Sequence, residues 1–84
     1  MPVLSRFYGI IIRMYFQQAE HNPPHIHAIY GEDVVALSIL NGDILEGRLS
    51  PQALAMVQKW MALHREELLH IWETQEFQPI APLE

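Results

Sequence analysis

The stretch HIHAIYGEDVVALSIL, residues 25–40, changes character at every second position. A period of two is the signature of a strand with one buried and one open face. In the first half His25, His27 and Ile29 share one side while Ile26, Ala28 and Tyr30 share the other. Gly31, Glu32 and Asp33 supply turn chemistry, and Val35, Leu37 and Ile39 then oppose Val34, Ala36 and Ser38. The stretch reads as a hairpin and sets the pattern for what flanks it.

Toward the amino terminus, QQAEHNPP is a polar loop stiffened by Pro23 and Pro24, which bias Asn22 toward extended backbone. Before it, PVLSRFY and IIIRMYF are rich in β-branched and aromatic residues, with Gly9 between them as a bend or bulge. They predict two short strands or one bent strand, with Ile10, Ile12 and Met14 on one face and Ile11, Arg13 and Tyr15 on the other. Toward the carboxyl terminus, Asn41-Gly42-Asp43 turns the chain into ILEG, a short edge strand. Ser50-Pro51 is a helix start, since serine caps the first amides and proline is tolerated at the first helical position. Leu54, Val57, Met61, His64, Leu68 and Ile71 then recur at steps of three and four, with Trp60 and Trp72 beside them. A continuous helix from Pro51 to Gln75 would be roughly 37 Å long at 1.5 Å per residue. It must either overhang a small sheet or break near His64.

The expected fold is α+β: a small antiparallel sheet of about four strands with one long or broken C-terminal helix packed on one face. One domain spans 1–84, β-rich over 1–49 and helical over 50–77, with a short tail at 78–84. Ile10, Ile12, Met14, Ile26, Ala28, Tyr30, Val35, Leu37 and Ile39 are expected beneath the helix. Arg13, Tyr15, His25, His27 and Ser38 are expected on the uncovered face.

Eighty-four residues make one thin core, burying about 60 to 65% of the unfolded surface, and such a core admits a partner or a homo-oligomer. The absence of cysteine excludes disulfides, thiolate metal sites and cysteine nucleophiles. No apolar run approaches the roughly 20 residues of a membrane span, and no signal-peptide plan opens the chain. A cytoplasmic protein without membrane attachment is the expectation. The formal net charge of -5 is unevenly spread: Arg6 and Arg13 face only Glu20 in the first thirty residues, and nine of the ten acids follow. An anion site therefore belongs to the first third.

Three of the five histidines, His21, His25 and His27, fall within seven positions. On a strand, His25 and His27 point the same way, roughly 6.6 Å apart. Two chemistries use that spacing. As proton-transfer groups near neutral pH, His25 and His27 with Arg13 and Tyr15 would form a catalytic set, Arg6 and His21 binding substrate. Cleavage of RNA without a metal needs that inventory, because the ribose 2′-OH is already the nucleophile. As neutral imidazoles, His21, His25 and His27 would instead hold a divalent transition metal such as zinc. A third reading makes them polar fillers of a solvated sheet face. Whether the chain is an enzyme is left open among the three. His64, on the apolar stripe, reads as a core or hinge residue.

PVLSRFYGIIIRMY, HNPPHIHA, the segment from Asn41-Gly42-Asp43 to Gly47 and LHREELLHIW together resemble the small bacterial domain of unknown function 4160. The resemblance covers nearly the whole chain. It implies a short bacterial protein encoded beside another small protein, in a pairing similar to toxin–antitoxin modules. A toxin-like component, acting as a metal-independent ribonuclease, is the leading expectation from that context. A non-catalytic metal-binding or protein-interaction module is the alternative.

Overall fold

Each strand grows from one of these alternating runs, and the computed structural model describes residues 3–14 and 23–84. Five strands form: β1 (Val3–Phe7), β2 (Ile10–Arg13), β3 (His25–Tyr30), β4 (Asp33–Ser38) and β5 (Ile44–Gly47). They lie in the order β1-β2-β3-β4-β5, each antiparallel to its neighbour. The count exceeds the expected four because the chain turns fully at Tyr8-Gly9, where both residues have positive φ, 51° and 81°. Two such residues in succession match the right-handed twist of the flanking strands, so the run becomes a hairpin.

The helical half begins where Ser50 and Pro51 place it. Ser50 Oγ accepts from the Ala53 amide at 3.3 Å, and α1 spans Pro51–Leu63. His64, at φ -122°, then interrupts the rod, its N–H shared between the carbonyls of Trp60 and Met61 at 3.1 and 3.2 Å. Helix α2 resumes over Arg65–Thr74. The longest extent of the molecule is 30 Å, so an unbroken rod of roughly 37 Å would have left its last turns without apolar cover. Helical structure closes at Thr74, because Gln75 adopts the left-handed conformation at φ 61°.

Ile10, Ile12, Met14, Ile26, Ala28, Val35, Leu37 and Ile39 are buried against Ala53, Val57, Trp60, Met61, Leu68 and Ile71 of the two helices. The segment after α2 folds back: Ile80 N–H donates to the Leu4 carbonyl at 2.9 Å, and Trp60 Nε1 donates to the Ala81 carbonyl at 2.8 Å. Among the described residues no helix is long and apolar enough to cross a membrane.

Two side chains depart from the expected faces. Tyr30 pairs with Ile10 and keeps the core parity, yet it is 42% exposed, because it ends its strand beyond the helical cover. Ser38 has the parity of the open face but is 4% exposed. The chain closes over it in the 38–43 turn, where its amide donates to the Asp43 carbonyl and its Oγ accepts from the Leu40 amide.

Candidate functional site

Registry across four strands builds the site. Arg13 on β2 pairs with His27 on β3, His27 with Ala36 on β4, and Ala36 with Glu46 on β5. Directly paired residues have Cβ atoms about 5 Å apart on the same face. The row therefore crosses the side of the sheet opposite the buried core, with Ala36 as a low step between two taller titratable groups. Arg6 pairs with Ile11 on the same face, diagonally next to Arg13. His25 shares the face with His27, their ring centroids 5.2 Å apart and edge to face.

The backbone gives this row its open end. Glu46 faces Ala36 while Ile44 faces Leu37, so Leu45 is an extra residue in β5. Such a bulge twists the strand and re-aims the side chains beside it. Gly47 follows at φ 83°, and a Cβ there would overlap the Val34 carbonyl oxygen. A glycine is thus required for β5 to lie this close to β4. The result is a half-open depression of about 310 Å³ lined by Pro23, His25, His27, Ala36, Leu45 and Glu46. A smaller hollow of about 200 Å³, lined by His27, Val34, Ala36, Glu46 and Gly47, adjoins it.

Each imidazole is held differently. Nδ1 of His25 lies 3.0 Å from the Pro23 carbonyl. A carbonyl can only accept, so the proton sits on Nδ1 and the lone pair of the neutral ring on Nε2. The ring also packs against Trp72 of α2 at a centroid distance of 5.2 Å, wedging it between a tryptophan and His27. His27 is pushed below its ordinary imidazole value by burial and by His25, with the Glu46 carboxylate pulling the other way. Arg13 Nε is buried and has no hydrogen-bond partner among the described residues.

Of the residues singled out from sequence, Arg6, Arg13, His25 and His27 come together on one face, whereas Tyr15 and His21 lie outside the described residues. No group of three His, Cys, Asp or Glu side chains among the described residues is arranged to hold a metal ion. Sequence reasoning passed over Ala36 and Glu46. Period-two alternation within ILEG can place Glu46 only relative to its own strand, and the bulge removes even that local guide. Larger hollows of about 380 and 510 Å³ flank His64 at the helix break. There His64 Nδ1 is 2.6 Å from Glu67 Oε1, an arrangement that serves the start of α2.

Neither a curated protein nor a solved structure matches the chain. The model of one family, described as a domain of unknown function (DUF4160), matches residues 9–73. That span contains Arg13, His25, His27, Ala36 and Glu46 and leaves Arg6 outside. With the match running from the first turn to the last turn of α2, the chain belongs to the domain of unknown function 4160 family.

Proposed function

We propose that this protein is a toxin-like component of a two-protein module and cleaves RNA phosphodiesters without a metal. The observation that carries the reading is the Arg13–His27–Ala36–Glu46 row, in which His27 lines a half-open depression on one side and pairs with Arg13 on the other. Proton transfer falls to the imidazole cluster that His27 forms with His25, and Arg13, paired with His27, neutralises charge growing on the phosphate. Arg6 binds the neighbouring stretch of backbone, assisted by His21 and Tyr15. Five lysines and arginines against ten acids make too small a footprint for tight binding of long nucleic acid, since that affinity rests on many phosphate contacts. An enzyme acting on one exposed linkage needs no such footprint. A small protein encoded beside it would be its partner, and the cytoplasm its site of action.

Induced expression of the chain should arrest growth and degrade cellular RNA, and the double variant His25→Ala, His27→Ala should do neither. Normal growth and intact RNA with the unaltered protein would refute the proposal. One observation favours a second reading. The Nδ1–H of His25 bonded to a backbone carbonyl, with Nε2 as the lone-pair nitrogen, is the arrangement by which metal-binding histidines are oriented. In that reading His25 and His27, with His21, hold zinc, nickel or copper. Equilibrium dialysis decides it: stoichiometric uptake lost in His25→Ala supports a metal site, and no uptake removes it.

A further inference from the structure

The proposed reaction needs two proton-transfer groups, one on each side of the phosphorus. The attacking 2′-oxygen and the leaving 5′-oxygen stand roughly in line with it, so a base and an acid must reach in from opposite ends. The two histidines do not meet that need by themselves. Their rings pack edge to face at a centroid distance of 5.2 Å, and His25 packs on Trp72 as well. No phosphate fits between rings in contact, so the pair occupies a single side.

The other side of the depression is occupied by Glu46. It stands two strands from His27, about 10 Å across the sheet at the usual strand spacing, with only the methyl group of Ala36 between. Both hollows on this face are lined by His27, Ala36 and Glu46 together. The span suits a phosphate with one hydrogen bond at each end. We infer that Glu46 is the catalytic base of this site, with His27 as the acid across from it. His25 becomes a positioning residue that fixes the His27 ring. The inference rests on the ribonuclease reading above.

The step balances without a co-reactant. The Glu46 carboxylate takes the 2′-hydroxyl proton, the 2′-oxygen bonds to phosphorus, the bond to the 5′-oxygen breaks, and the His27 imidazolium gives that oxygen its proton. The products are a 2′,3′-cyclic phosphate and a free 5′-hydroxyl, and solvent returns the proton from Glu46 to His27. Because His27 must carry a proton, activity falls as pH rises through its lowered pKa. Among the described residues, the charged and titratable groups facing it include Arg13 from β2, His25 on its own strand and Glu46 from β5, while β4 presents the uncharged Ala36.

The test uses a fluorophore-quencher RNA oligonucleotide of mixed sequence and its all-deoxy counterpart, with pH–rate profiles for the intact protein, Glu46→Gln and His27→Ala. Glu46 is exposed, so Glu46→Gln should keep the native circular dichroism spectrum. The inference expects cleavage of RNA alone with cyclic-phosphate ends, a roughly 10²- to 10⁴-fold loss in Glu46→Gln, and a pH–rate profile altered by that substitution. If His27→Ala is inactive while Glu46→Gln stays within threefold of the intact protein with an unchanged profile, Glu46 is not the base and the ribonuclease reading stands. If the intact protein cleaves nothing, both fall.

Discussion

Replacing Gly47 by alanine tests the geometry on which the site depends. The residue sits at φ 83°, and an added Cβ would overlap the Val34 carbonyl oxygen while lying 3.1 Å from the Val34 carbonyl carbon and 3.2 Å from the Val35 Cα. These neighbours are backbone and cannot rotate away. Holding a non-glycine residue in the left-handed region costs about 1–2 kcal/mol. Moving β5 off β4 also weakens the Arg48 N–H bond to the Val34 carbonyl, now 3.2 Å, for about 1 kcal/mol more. The expected loss is therefore about 2–3 kcal/mol, against about 4–13 kcal/mol of total stability for a domain of this size. Gly42→Ala provides the comparison: its φ is 79°, but the nearest atom to an added Cβ is the flexible Gln58 Cγ at 3.9 Å. It bears only the conformational penalty. Urea denaturation of the two variants should place the Gly47→Ala midpoint well below that of Gly42→Ala, and the Gly47 variant should also displace Glu46 and lose function. Equal midpoints would mean that β5 does not need its close approach to β4, and the account of the bulge would be wrong.

Three further outcomes follow from particular residues. Tyr8→Asn should stabilise the protein by about 0.5–1 kcal/mol, because asparagine tolerates the φ of 51° better than tyrosine does; an unchanged or lower urea midpoint counts against the turn assignment. His27 is depressed from 6.5 in the folded state, so below that pH the unfolded chain binds the proton first and stability declines as pH falls, levelling once folded His27 is protonated. Its share of the slope cannot exceed about 1.4 kcal/mol per pH unit, and His27→Gln should flatten the curve on the acid side of 6.5; identical curves would refute the assignment. Ala36→Leu should fill the floor between His27 and Glu46 and abolish function while folding cooperatively, and a fully active variant would show that the depression is not where substrate sits.

Parity was legible in the sequence because it is local. Alternating side chains in 25–40 and in IIIRMY separate Ile12, Ile26 and Leu37 from Arg13 and His27 before any strand has a neighbour, and a single rotation per residue is enough to do so. The same locality announced the helix start at Ser50-Pro51 and the choice between an overhang and a break that His64 resolves. Exposure at strand ends was not local: Tyr30 keeps its parity but runs out of cover, and Ser38 is closed in by a turn that follows it. Register was not local either. Nothing in residues 10–13 or 44–47 alone states that Arg13 lies opposite His27, or that Glu46 faces the same depression across Ala36. The first is set by the β2–β3 register and the second by the Gly47 approach and the Leu45 bulge in β5, so only the assembled sheet sets which charges meet.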